Sequence, residues 1–398
     1  MFKVHIIGMG VGNKGLLTAE ACEIIERCRV LVGDKRFLAK YENTDKILHS
    51  ATRASMVKEI VGQYPQENIG VLVSGDVGFY SLAKTVLAAI DVPAKLYCGI
   101  NSLQYFASRL QVPWQDAALV SLHGRQANFL AKLREQGRVF LLTGGDYTVD
   151  KVCLELQQYG LGDVQVDIGE RLSYPDERIV QGVADDFVDS KFDDLSVMLL
   201  VSNAAVRQIS AHGIADEEFI RDKAPMTKQE VRAVSLSKLG IGKSDIIYDI
   251  GAGTGSVAIE AALLASEGHV YAIERVLDAT KLIEQNMRKF QVQNLTIINA
   301  YAPEGMVNLP VPNKVFIGGS GGNMGQILDS IYKLNANAVV VINCITMESI
   351  SECVEYYKDK KDYMTEFTHM AVARSRKVGA YNMMMGANPV YVVQVTKV

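Results

Sequence analysis

Residues 248–256 read YDIGAGTGS: an apolar run carrying the acid Asp249, then glycines at 251, 253 and 255, with the small hydroxyl residue Ser256 behind them. This is the pattern of a strand end, a tight loop and a helix start. Glycine lets a ligand approach the backbone closely, and the positive end of the following helix favours a nucleotide-type group. The dinucleotide fingerprint Gly-x-Gly-x-x-Gly needs its third glycine at 256, where Ser256 stands. The spacing is instead Gly-x-Gly-x-Gly with an acid in front. HVYAIE (269–274) then ends at Glu274, nineteen residues after Gly255. A carboxylate at that strand end can accept both ribose hydroxyls of an adenosine.

Outward from this loop, apolar runs and helix-like stretches alternate. DIIYDI (245–250), HVYAIE, LTIIN (295–299), NKVFIG (313–318) and AVVVIN (338–343) read as strands, and TEFTHMAVAR (365–374) and NPVYVVQV (388–395) as a closing strand pair. Five βα units with an antiparallel edge predict an α/β, Rossmann-like, seven-stranded sheet. A second α/β alternation precedes it: VHII (4–7), RVLV (29–32), IGVLVSG (69–75) and VFLLT (139–143). It changes at DVQVDIG (163–169), RIVQG (178–182) and LSVMLLV (195–201) to an antiparallel portion. The polar stretch from 202 to 226 separates the two, which places domains at 1–205 and 206–398.

The bulk of the chain narrows the function. With 398 residues, 48% hydrophobic and 22% charged, it is sized for two soluble domains. A net charge of −4 gives no general electrostatic attraction to nucleic acid. No apolar run is long enough for a membrane span, and the start MFKVHIIGMG lacks signal-peptide regions. Cys22, Cys28, Cys98, Cys153, Cys344 and Cys353 form no Cys-x-x-Cys pair, so neither a zinc site nor a disulfide framework is expected. A cytoplasmic protein without a bound metal is the expectation.

The N-terminal cluster IIGMGVGNKG (6–15) does fit the dinucleotide spacing at Gly10, Gly12 and Gly15, but the acid nineteen residues on, Asp34, lies in the turn-like GDKR (33–36). GIGKS (240–244) lacks the first glycine of a phosphate-binding loop. After β-strand NKVFIG, the loop FIGGSGGN (316–323) holds no general base. Its backbone N–H groups can bind an anionic acceptor, or its glycines can serve packing alone.

Taken together, APMTKQEVRA (224–233), YDIGAGTGSVAIE (248–260), YAIER (271–275), NAYAPEG (299–305) and VFIGGSGGN (315–323) resemble the Rossmann-type C-15 methyltransferases and decarboxylases of cobalamin biosynthesis. The resemblance covers essentially all of 215–398. VHIIGMGVG (4–12), SGDVGFYS (74–81), CGINSLQYFASRL (98–110) and VSLHGR (120–125) resemble the two-lobed tetrapyrrole methylases of C-5 type, with Val77 where that class usually has proline. The pair implies a fused S-adenosyl-L-methionine-dependent enzyme with two cofactor sites. It would act on a precorrin or cobalt-precorrin, bind no nucleic acid or membrane, and form a homo-oligomer.

Carried over by position, the resemblance implies cofactor contacts in the C-terminal domain at Thr227, Asp249, Gly251, Ala252, Gly253, Thr254, Gly255, Glu274 and Ala302. In the N-terminal domain it implies Gly8, Gly10, Ser74, Gly75, Asp76, Phe79, Ile100, Asn101 and Ser102. The acceptor would rest against Gly318, Gly319, Gly321 and Gly322. Its carboxylates call for cations, for which Arg374, Arg376 and Lys377 in one domain and His123 with Arg125 in the other are candidates, each with a solvated surface charge as the alternative. Glu304 and Tyr381 are candidates for proton handling, or for packing and capping. Met383 to Met385 are expected to line a wall or pack in the core. Two rival readings are a two-Rossmann oxidoreductase, opposed by Ser256, and an RNA methyltransferase with a binding module, opposed by the acidic charge balance and a missing Asn-Pro-Pro motif.

Overall fold

The structure is a computed structural model that describes residues 3–123, 127–202, 212–222 and 224–398. The chain divides into two compact units. The first comprises Met1–Ala127, Gln136–Glu155 and Gly162–Asn203; the second comprises Asn128–Glu135, Leu156–Leu161 and Ala204–Val398. The boundary expected between 205 and 206 lies outside the described residues.

In the first unit, β1 (Val4–Gly8), β2 (Val30–Gly33), β3 (Ile47–Ser50), β4 (Ile69–Val73) and β5 (Ala94–Tyr97) form a parallel sheet of order β3-β2-β4-β1-β5. β1, β2 and β4 are buried along their whole length, which is why they read as unbroken apolar runs. A second sheet has β6 (Ala118–Ser121), β7 (Arg138–Leu142), β8 (Gln165–Glu170), β9 (Arg178–Val183) and β10 (Ser196–Val201) in the order β6-β7-β10-β8-β9. Only its β6–β7 pair is parallel. The change of sheet falls between β5 and β6, earlier than the predicted change of strand direction, so VFLLT (139–143) belongs to the second sheet as β7, and the antiparallel portion expected from 163 onward joins it there. β3, β5 and β6 gave no sequence signal: each has four residues, sits at a sheet edge, and mixes polar with apolar side chains.

The second unit is built on β11 (Ile246–Ile250), β12 (His269–Ile273), β13 (Leu295–Ile298), β14 (Lys314–Ile317), β15 (Val339–Cys344), β16 (Tyr363–Met370), β17 (Ala373–Val378), β18 (Tyr381–Gly386) and β19 (Val390–Lys397). Seven of them form one sheet of order β13-β12-β11-β14-β15-β19-β16, parallel except for β19. The chain runs outward from β11 to β13 and returns to β14, so the reversal of strand order lies between β11 and β14. Ligands of open α/β sheets bind outside the strand ends at this point. YDIGAGTGS and FIGGSGGN are the two loops that leave β11 and β14.

Two expectations need correction here. TEFTHMAVAR is not one strand: β16 ends at Met370, and β17 pairs with β18 in a separate two-stranded hairpin. Met383, Met384 and Met385 lie on that hairpin at 51%, 65% and 48% exposure, so of the two alternatives the core is excluded, while Met385 lines a cavity wall. Among the described residues no helix is long and apolar enough to cross a membrane, and no cluster of potential metal ligands occurs.

Candidate functional site

A cavity of about 690 Å³ in the first unit gathers Gly10, Ser74, Gly75, Phe79, Ser102 and His123 from the expected set. Glycine at these positions follows from backbone crowding. Gly10 and Gly75 adopt φ of +65° and +64° and exchange hydrogen bonds, Gly10 N–H donating to Gly75 O at 3.1 Å and Gly75 N–H to Gly10 O at 3.0 Å. A Cβ on Gly8 would stand 2.7 Å from Gly75 O and 2.8 Å from the Gly99 nitrogen. Three loops therefore meet backbone to backbone, as only glycine permits.

Four further expected residues of this unit, Gly8, Asp76, Ile100 and Asn101, do not line this cavity. Asp76 accepts from Gly78 N–H at 2.8 Å and from Gly99 N–H at 3.1 Å, so both its oxygens brace loops. Asn101 caps the helix Ser102–Leu110 in a capping box with Gln104. Arg125 lies outside the described residues. Sequence reasoning missed Arg36, Thr143, Arg171 and Tyr174, which also line the cavity. Lys40 donates to the carbonyl of Gly12. Burial, and then the nearby charges of Lys14 and Arg36, lower the pKa of its ammonium. This basic cluster leaves no motif because its members come from two three-residue 3-10 turns (Lys14–Leu16 and Ala39–Tyr41) and a four-residue helix (Lys35–Leu38).

In the second unit, a cavity of about 240 Å³ opens at the ends of β11, β12 and β14. It brings together Gly251, Gly253, Glu274, Ala302, Gly318, Gly319 and Gly321, with Pro225, Arg275 and Tyr301 as residues not foreseen. The three loop glycines have φ of +72°, +56° and +77°. Glu274 accepts from Gly253 N–H at 2.9 Å and Val276 N–H at 2.8 Å, which ties the end of β12 to the loop. Asn299 donates to the Glu274 carbonyl at 2.9 Å from the next strand end.

Asp249 lies under this loop at 1% exposure, and neither carboxylate oxygen has a hydrogen-bond partner; the Thr254 hydroxyl is equally orphaned. Desolvation raises the Asp249 carboxyl to about 7; the Ala258 N–H, close by but outside hydrogen-bonding geometry, opposes the rise, and the Glu274 carboxylate adds to it. Ala252 and Gly255 belong to the loop but do not line the cavity.

A larger cavity of about 650 Å³ shares Pro225 and Gly318 with the first and is lined by Thr227 and Arg374, among others. Gly318 and Gly319 N–H both donate to Ile250 O, at 2.9 and 3.4 Å, and Gly322 N–H donates to Ser320 Oγ at 3.4 Å. The N–H groups of Gly318, Gly319 and Gly322 are thus used within the protein, and a Cβ on Gly251 would be 2.6 Å from Gly319 O, so close packing accounts for part of this glycine run, while Gly318, Gly319 and Gly321 line the smaller cavity. Glu304, Arg376, Lys377 and Tyr381 line neither cavity, and Tyr381 is 77% exposed at the hairpin turn.

Residues 217–397 match the family profile of the precorrin methyltransferase domain, and residues 3–188 that of the tetrapyrrole (corrin/porphyrin) methylases. A probable cobalt-precorrin-6B C(15)-methyltransferase (decarboxylating) of Pyrobaculum calidifontis is 38% identical over 185 residues, 46% of this chain and 94% of its own length. The precorrin-6Y C(5,15)-methyltransferase (decarboxylating) of a Sinorhizobium species is 28% identical over 359 residues, 88% of this chain and 87% of its own. A crystal structure of precorrin-6y C5,15-methyltransferase from Geobacter metallireducens GS-15 is 41% identical, covers 48% of this chain and 100% of its own, and gives a TM-score of 0.45. With a tetrapyrrole methylase half followed by a precorrin methyltransferase half along one chain, the protein belongs to the decarboxylating precorrin-6Y C5,15-methyltransferase family.

Proposed function

We propose that the chain methylates carbons 5 and 15 of a precorrin or cobalt-precorrin and releases the carboxyl of the ring C acetate as carbon dioxide, in cobalamin biosynthesis. The observation that carries this reading is the joined pair of cavities in the second unit, one walled by the glycine loop and Glu274, the other roomier and shared at Pro225 and Gly318. A donor pocket opening into an acceptor pocket is what group transfer between two bound molecules requires.

S-adenosylmethionine fits the smaller pocket chemically. Glu274 stands where ribose hydroxyls are accepted, and the orphan Asp249 carboxylate and Thr254 hydroxyl lack the cationic and polar partners that an amino acid end would provide. Bound there, it supplies an electrophilic methyl group. The second such site is the glycine-walled cavity of the first unit, giving two per chain. Meso carbons of a reduced tetrapyrrole are enamine-like nucleophiles, so the walls need to orient the ring and exclude water rather than supply a strong base. Decarboxylation then sends the electron pair of the breaking C–C bond into the conjugated imine system of the acceptor.

A homo-oligomer is supported by the β17–β18 hairpin. Two strands alone are marginal in water, and a second copy covering Met383 to Met385 would stabilise them. The unpaired thiols suit a reducing, cytoplasmic setting. Calorimetric titration should find two S-adenosylmethionine sites per chain. The product of a precorrin-6Y incubation should carry two added methyls and lack one carbon dioxide; a chain that binds the cofactor but returns the precorrin unchanged contradicts the reading.

A further inference from the structure

Three cations line the larger cavity of the second unit, and they are not equivalent. Arg374 is fully engaged: its Nε and Nη2 donate to the two oxygens of Glu230 at 2.8 and 2.6 Å, and its Nη1 donates to Asp216 Oδ2 at 3.2 Å. Its fork already faces two carboxylates, so a third arriving on a ligand would meet net negative charge. Arg221 and Lys228 make no ion pair among the described residues, and Glu217 is the one acid of this wall equally without a partner there.

The contacts behind Arg374 explain what its pairing does. Asp216 is buried, and its other oxygen accepts from Gln229 N–H at 2.9 Å and from Arg232 at 3.3 Å. Arg232 is wholly buried and reaches Glu260 at 2.5 Å and the carbonyl of Thr227 at 2.6 Å. A chain of ion pairs thus runs from β17 into the helix Ser256–Leu264 that follows the cofactor loop. On the strand side, Arg374 pairs with Met385 across the hairpin, and Ala387 N–H donates to Val372 O at 2.8 Å to close its base. Met385 and Ala387 form cavity wall, whereas the hairpin beyond Arg374 is exposed along its whole length.

We infer that Arg374 is a positioning residue that fixes the 385–388 wall of the acceptor cavity through Glu230 and Asp216, and that Arg221 and Lys228 are the cations there that read the acceptor's carboxylates. This rests on the function proposed above. The guanidinium that the sequence offers as a substrate ligand is instead a latch, and the specificity for a polycarboxylate moves to Arg221 and Lys228, which precede the helix Gln229–Leu239.

The test uses the full chain with Arg374→Gln, Glu230→Gln, their double variant, Lys228→Gln and Arg221→Gln. Two quantities are read: steady-state carbon dioxide release from a precorrin, and backbone hydrogen exchange over 371–389. Arg374→Gln and Glu230→Gln should each raise the acceptor KM about tenfold with kcat little changed, and the double variant should be no worse than either. Both should speed exchange at the hairpin base and leave the 251–255 loop unchanged. Lys228→Gln and Arg221→Gln should raise the acceptor KM by about fivefold each, with hairpin exchange and S-adenosylmethionine KM unaltered. If Glu230→Gln lowers the acceptor KM while Arg374→Gln raises it, Arg374 reads the acceptor itself and the inference is overturned. Unaltered hairpin exchange in both variants overturns it as well, and that result needs no turnover. Absence of any turnover by the unsubstituted chain would count against the proposed function and leave the exchange result to decide the latch.

Discussion

The loop at 8–12 is closed by backbone against backbone. Gly8, Gly75 and Gly99 approach so closely that a Cβ on Gly99 would stand 2.5 Å from Gly75 O, and the N–H groups of Gly10 and Gly75 are used on one another. The loop at 251–255 shares with it left-handed backbone and close approach, but it is also tied to the Glu274 carboxylate and lies over an acid and a hydroxyl whose side-chain oxygens have no hydrogen-bond partner in the protein. One loop is complete without a ligand; the other has polar groups that a ligand would complete. Glycine spacing alone therefore does not distinguish them, and the first loop's fit to a dinucleotide pattern reflects packing.

Substituting each loop in turn breaks this comparison most sharply. Gly251→Ala forces φ of +72° on a residue with a Cβ 2.6 Å from Gly319 O. It should cost C-15 methylation and carbon dioxide release about 100-fold or more while C-5 methylation persists. Gly8→Ala should do the reverse, and product mass reports both. Equal loss of both methyl groups from either variant, with folding intact by circular dichroism, would mean that the loops do not serve separate sites.

Asp249→Asn comes next. An ammonium beside Asp249 favours its ionised form, so S-adenosylmethionine affinity at the second site should rise with pH through about 7, the value to which burial pushes this carboxyl. Asp249→Asn should weaken binding there about tenfold at pH 8 and flatten that dependence, as calorimetry at several pH values would reveal. Stability without ligand has the opposite sign. Between the ordinary value of 3.8 and about 7 the native state holds a proton that the unfolded chain has lost, so stability falls as pH rises and levels off above that range. The accumulated cost is on the order of 4 kcal/mol, and the calorimetric unfolding transition of the second unit in Asp249→Asn should lack this decline.

Smaller effects are expected from the charges. Lys40→Met should raise the acceptor KM for C-5 methylation by roughly threefold and weaken its salt dependence, because Lys40 sits with Lys14 and Arg36 beside the first cavity. Arg376→Ala, on the exposed hairpin, should change either KM by less than about twofold. A large effect there would place the hairpin, and not the cavity wall, against the acceptor.

The parallel sheet of the first unit and the Rossmann-like sheet were legible because central parallel strands are buried on both faces and write unbroken apolar runs, and β7, β8 and β10 of the other, largely antiparallel sheet were legible because they too are mostly buried. The edge strands β3, β5 and β6 and the β17–β18 hairpin were not, since short, half-exposed pairing carries no such signature. Within the sites, the sequence indicated the loops and Glu274, whose roles depend on local spacing. It could not indicate which charges are already paired. Arg374 looks as free as Lys228 in the sequence, and only the fold brings Glu230 and Asp216 to it.

The central claim is that one chain holds two separate methyl-transfer sites acting on one ring. High-resolution mass analysis of the product from precorrin-6Y and methyl-labelled S-adenosylmethionine tests it most directly, with the unsubstituted chain beside Gly251→Ala. Two labelled methyls with loss of one carbon dioxide are expected from the first, and one labelled methyl with the carboxyl retained from the second. Two methyls with the carboxyl retained in the first, or loss of carbon dioxide undiminished in the second, would contradict the account.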